Sequence, residues 1–70
     1  MRKKKLLTER EYEIFGLLID NYDTEEIAEK LCISSKTVRN HISNVIQKLG
    51  VRSRTQAIIE LIKMNEINIH

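Results

Sequence analysis

Five residues between Ser34 and Gly50 could do chemistry together: Lys36, Arg39, Asn40, Ser43 and Gln47. Helical spacing spreads them around one side of a helix, away from Val38, Ile42, Val45 and Leu49. An Arg guanidinium pairs with two acceptors at once, an Asn amide donates and accepts side by side, and a Ser hydroxyl does either. From Ser34 to Gln56 there are five basic residues (Lys36, Arg39, Lys48, Arg52, Arg54) and no acid. Such a face suits a polyanion that also displays donors and acceptors. The major groove of B-form DNA is one, and it admits an α-helix. Arg39, Asn40 and Ser43 are then the candidate base readers. Lys36, Thr37, Gln47, Lys48, Arg52, Arg54 and Gln56 are candidates for the sugar–phosphate backbone, where cations, hydroxyls, amides and helix N-termini hold a reader in place.

The chain has 70 residues and a net charge of +2, but the charge is unevenly divided. Residues 1–31 hold six Lys/Arg and eight Asp/Glu, a sum of −2; residues 32–70 hold six and two, a sum of +4. Clustering of this kind points to a polyanionic partner. A single domain over residues 1–70 is expected, with a thin stability margin, because so short a chain buries only about 60% of its unfolded surface. The stretch 1–5, with Arg2 and three lysines, reads as a disordered basic tail that adds nonspecific phosphate attraction.

Other chemistries find no support. The lone cysteine, Cys32, allows no internal disulfide and is expected to act as a small buried apolar residue. His41 and His70 are the only histidines, and their spacing fits no zinc pattern. His41 is expected to be a packed, hydrogen-bonded structural residue. Paired carboxylates, a nucleophile–base pair and a phosphate-binding glycine loop are all missing, which argues against an enzyme and against a cofactor or small-molecule ligand. No stretch approaches the roughly 20 apolar residues of a membrane span, so a cytoplasmic protein is expected.

The elements that must position the basic face are helical, and the expected fold class is all-α with four helices. The first, over 8–20, opens with "T8-E-R-E11", a capping box, with Leu7 placed as a hydrophobic staple. Its inward residues are Ile14, Phe15, Leu17 and Leu18, and Asn21 suits the left-handed turn that follows a helix. The second, over 24–31, starts at Asp23 or Thr24 and turns Ile27, Ala28 and Leu31 inward. The third, over 35–49, has Ser34 as N-cap and Gly50 just past its end. The fourth, over 54–64, begins with "S53-R-T-Q56", read as another capping box, with Ala57, Ile58, Leu61 and Met64 facing the core. A short helix, a three-residue turn and a longer capped helix make a helix–turn–helix pair. Ile59, Ile62 and Glu66 lie off the core face of the last helix and are the candidate dimer contacts.

The same residues resemble a known family. "L7-T-E-R-E-Y-E-I-F", "E26-I-A-E-K-L-C-I-S", "K36-T-V-R-N-H-I-S-N-V-I-Q-K-L-G-V51" and "R54-T-Q-A57" are similar to successive segments of LuxR/GerE-type helix–turn–helix domains. The resemblance covers about residues 6–64. It implies a four-helix DNA-binding domain of a transcription regulator, like the stand-alone members that lack a receiver or ligand-binding domain. It further implies a third helix in the major groove of double-stranded DNA, a two-fold homodimer through the last helix, and RNA polymerase as a further partner. By position, Arg39, Asn40 and Ser43 match the family's base readers; Val38, His41, Ile42 and Leu49 match its structural side. The chain departs from the pattern at Asn21, where Gly is frequent, and at Glu25, whose charge would repel phosphate. A helix–turn–helix module that binds protein instead of DNA is the competing expectation, and an exposed apolar patch on the Ser34–Gln56 surface would mark it.

Overall fold

The computed structural model describes residues 6–65. The expectations for the basic stretch 1–5 and for Glu66 lie outside the described residues. Four helices follow one another: α1 (Glu9–Ile19), α2 (Thr24–Leu31), α3 (Ser35–Leu49) and α4 (Arg54–Lys63). The described residues form no strand, and the fold is all-α.

Local chemistry fixes where each helix starts. Thr8 caps α1: its hydroxyl accepts from the Glu11 N–H at 3.1 Å, and Glu11 Oε1 accepts from the Thr8 N–H at 3.0 Å. Asp23, not Thr24, caps α2, and it forms the same reciprocal box with Glu26. Ser34 caps α3 by accepting from the Thr37 N–H at 3.0 Å. At α4 the expected box is only half made. Ser53 Oγ accepts from the Gln56 N–H, but Gln56 Oε1 takes the N–H of Arg52 instead of that of Ser53.

Three helices end in one way. After α1, α2 and α3 the chain turns left-handed at Asn21 (φ 74°), Cys32 (φ 59°) and Gly50 (φ 70°). Each time two N–H groups reach back to the last turn: Asn21 and Tyr22 to Leu18 and Leu17, Cys32 and Ile33 to Glu29 and Ala28, Gly50 and Val51 to Gln47 and Ile46. These paired bonds satisfy carbonyls that would otherwise lack partners. Cys32 thereby departs from the expectation of a buried small residue. Its left-handed backbone sits at the outside of the α2–α3 turn, and its side chain is exposed.

α3 packs on each of the other three helices, and α1 also packs on α2. The core consists of Leu7, Ile14, Phe15, Ile27, Ala28, Val38, Ile42, Val45, Ala57 and Leu61. Leu17, Leu18, Leu31, Leu49 and Ile58 are only partly buried around it, together with Tyr22, Ile33, Ile46 and Val51. Met64 does not face the core: it is 41% exposed, because α4 ends at Lys63 and the chain turns away there. Enclosing one large aliphatic or aromatic side chain contributes about 1.5–3 kcal/mol. Ile14, Phe15, Ile27 and Val38 therefore hold α3 in place far more strongly than any surface contact does.

Candidate nucleic-acid interface

α3 carries the proposed site, and its own geometry sorts the side chains. At about 100° per residue, Val38, Ile42, Val45 and Leu49 point within about 30° of a common direction, the core. Arg39 and Asn40 bound an arc of about 100° on the far side, and Lys36, Ser43 and Gln47 fall inside it. All five side chains are exposed. None makes a hydrogen bond or ion pair with another described residue. α3 thus presents one polar strip whose donors are unengaged, held opposite an apolar stripe that is buried at Val38, Ile42 and Val45 and partly buried at Leu49.

Further polar side chains stand near both ends of α3. At the N-terminus Ser34 Oγ and Thr37 Oγ1 are 2.9 Å apart, so the two hydroxyls share one hydrogen bond, and Thr37 is half-buried. At the C-terminus Gly50, Val51 and Arg52 lead into α4, where Arg52, Arg54 and Gln56 are exposed. The Gln56 carbonyl oxygen ties down the Arg52 backbone at 2.9 Å, which leaves its amide N–H groups to point elsewhere. Lys36, Arg39, Arg52 and Arg54 have no carboxylate within ion-pair distance among the described residues. Glu25, at the start of α2, is exposed and outside this strip.

Lys48 is different. Its ammonium donates to Glu11 Oε1 at 2.7 Å and to the Leu6 carbonyl at 3.0 Å. On the helical wheel it lies about 80° beyond the edge of the reading arc, on the flank turned toward α1. The sequence pattern grouped it with the phosphate contacts; the fold gives its charge a partner inside the protein. His41 lies on the same flank, seven residues earlier. It is half-buried but has no hydrogen bond to another described residue, contrary to expectation, and its charge reaches Glu11.

Glu11 is the one buried charged side chain among the described residues, at 4% exposure. Burial by itself would push its carboxyl up. The hydrogen bond from Lys48, the Thr8 N–H and the charges of Lys48 and His41 outweigh that and hold it below its ordinary value of 4.5.

Asn44 was not singled out from the sequence. It is exposed, one turn after Asn40 and about 40° past the edge of the arc. Its spacing of four from Asn40 was the available signal. Ile59 is 48% exposed and, with Gly50, Val51, Arg52, Gln56 and Glu60, lines a groove of about 290 Å³. Ile62 packs against the rim of the core and is only partly open. Among the described residues, no group of His, Cys, Asp and Glu is arranged to hold a metal ion, and no helix is long and apolar enough to cross a membrane.

The chain is similar to known proteins in sequence and in fold. Spore germination protein GerE of Bacillus subtilis (strain 168) is 56% identical over 68 residues, covering 97% of this chain and 92% of that protein. The transcriptional regulatory protein DegU of Brevibacillus brevis is 47% identical over 64 residues, which are 91% of this chain but 27% of DegU. The solved structure of the transcription factor GerE superimposes with a TM-score of 0.93, at 57% identity, over 96% of this chain and all of that one. Residues 5–61 match the model of the bacterial regulatory proteins of the luxR family. With its four capped helices, its polar strip on α3 and this match, the chain belongs to the luxR family of bacterial regulatory proteins.

Proposed function

We propose that this DNA-binding transcription regulator reads double-stranded DNA with α3 in the major groove. Arg39, Asn40 and Ser43 contact base edges; Lys36, Thr37, Gln47, Arg52, Arg54 and Gln56 hold the phosphates on either side. The single observation that carries the reading is the strip itself. Five exposed polar side chains share an arc of about 100°, without acidic partners, on a helix whose opposite side is locked into the core. The described chain acts as one domain in the cytoplasm, without a cofactor and without catalysis. Two copies bind together, each placing Ile59 against the groove below α4 of the other; Ile62 and Glu66 are the further dimer contacts proposed. RNA polymerase is the further partner of a regulator bound in this way.

Selection from a randomised duplex pool at physiological salt tests this. The expected result is a two-fold site with half-sites about one helical turn apart. If a dimer neutralises about eight phosphates, log affinity falls against log salt with a slope near −7. Binding that ignores both sequence and salt would falsify the reading. It would favour the protein-interaction module. A specific observation already weighs against that alternative: among the described residues the exposed large apolar ones are Tyr12, Ile59 and Met64, and none lies between Ser34 and Gln56.

A further inference from the structure

Lys48 and Glu11 stand 37 residues apart in sequence, yet they form the shortest hydrogen bond made by any charged side chain described, 2.7 Å. Glu11 Oε1 also accepts the Thr8 N–H at 3.0 Å, and Lys48 Nζ also donates to the Leu6 carbonyl at 3.0 Å. The carboxylate oxygen therefore joins the cap of α1 to the last turn of α3, and the Lys48 ammonium ties that turn to the chain entering α1. We propose that Glu11 and Lys48 are a positioning pair that sets the pose of α3 in the groove, and that Lys48 itself does not touch phosphate. This inference rests on the DNA-reading function proposed above.

The electrostatics favour the internal partner. Lys48 commits two of its three N–H donors to Glu11 and Leu6, and swinging out to a phosphate would leave Glu11, at 4% exposure, without its cation. An uncompensated buried carboxylate is far costlier than an exposed phosphate that keeps its own counterions. Direction agrees as well, since Lys48 lies on the α1 flank with His41, outside the arc that holds Arg39 and Gln47. The distal lever is the reason that the pair affects reading. Arg39 lies nine residues before Lys48, about 13 Å along the helix, so a tilt of about 5° at the pair moves Arg39 by about 1 Å. Bidentate base contacts tolerate about half of that, whereas a phosphate contact by a long flexible cation tolerates more. Loosening the pair should thus erode base discrimination before it erodes nonspecific attraction.

The experiment measures binding to the selected duplex and to a scrambled duplex across salt, for wild type, E11Q, K48M, K48R and E11Q/K48M. Gln at position 11 can still accept the Thr8 N–H, so E11Q removes the ion pair and keeps the cap. E11Q and K48M should each lower the selected-to-scrambled ratio by about tenfold, the scale of one lost base contact. The double variant should be no worse than the worse single one, K48R should stay close to wild type, and the salt slope on scrambled duplex should not change. A slope reduced by about one in K48M, with E11Q unchanged or tighter, would make Lys48 a phosphate contact and overturn the pair. Wild-type protein supplies a readout that needs no variant to fold: the ¹⁵N resonance of Lys48 Nζ should stay in place when scrambled duplex is added, and a shift like that of a phosphate-bound lysine overturns the proposal. If wild type does not distinguish the two duplexes, the DNA-reading function fails and the pair's role with it; the slope and resonance outcomes sink the pair alone.

Discussion

Gln56 Oε1 accepts the backbone N–H of Arg52 at 2.9 Å, so a side chain expected at the DNA and in a capping box with Ser53 also holds the loop between α3 and α4. The two roles separate by substitution. Gln56→Glu keeps the acceptor and puts a carboxylate in the first turn of α4, where the helix dipole favours it. Its melting temperature should match wild type, while its DNA affinity falls at low salt. Gln56→Ala should instead lose about 0.5–1 kcal/mol of stability, because one exposed hydrogen bond is worth little more. Thermal melts and duplex titrations of both variants check this, and a destabilised Gln56→Glu would show that the acceptor is not what matters.

Acid should weaken the fold through Glu11. Its carboxyl titrates below its ordinary 4.5 in the folded chain, despite burial, because Lys48, the Thr8 N–H and the charge of His41 favour the anion. A depressed folded pKa means that the unfolded chain takes up the proton first. The contribution is therefore complete above the ordinary carboxylate range and is lost as pH falls through the folded value. Denaturant titrations from pH 6 to 3 should show a steeper loss for wild type than for Glu11→Gln. Parallel curves would remove Glu11 from the account.

Cys32 occupies a left-handed position, φ 59°, with its side chain in solvent. A side chain there costs about 1–2 kcal/mol, which Gly avoids, although Gly returns part of that as unfolded-chain entropy. Cys32→Gly should stabilise the protein by about 0.5–1 kcal/mol and leave DNA binding unaltered. A lower melting temperature would mean that the side chain makes a contact worth more than the strain.

Arg39 is the sharpest test of base reading. Arg39→Ala should cost about 1–3 kcal/mol on the selected duplex and relax selection at one base pair in each half-site. Lys36→Ala, by contrast, should weaken all duplexes alike and reduce the salt slope by about one per protomer. Repeating the selection with each variant distinguishes the two patterns, and an Arg39→Ala protein with unchanged preference would move the reading elsewhere on α3.

Ile59→Glu places a charge in the groove proposed for the second copy. Sedimentation on the two-half-site duplex should show two protomers for wild type and weakened pairing for the variant. The same single-protomer complex for both would exclude α4 as the dimer surface.

Much of the fold was legible because its signals are local. Ser34 to Thr37, Thr8 to Glu11 and the four–three–four spacing of Val38, Ile42, Val45 and Leu49 act within one or two helical turns, and any chain that forms the helix expresses them. That the arc of Arg39, Asn40 and Ser43 points away from the core follows from the same periodicity. Only the tertiary structure decided what depends on neighbours distant in sequence. It took Lys48 from the basic group and gave it to Glu11, 37 residues away; it put Cys32 on the outside of a left-handed turn and left Met64 in solvent. A sequence shows which side chains carry charge or apolar surface, but their partners are settled by how the helices pack. For Lys48 that packing brought a buried carboxylate within 2.7 Å, where an unpaired anion would be too costly to leave.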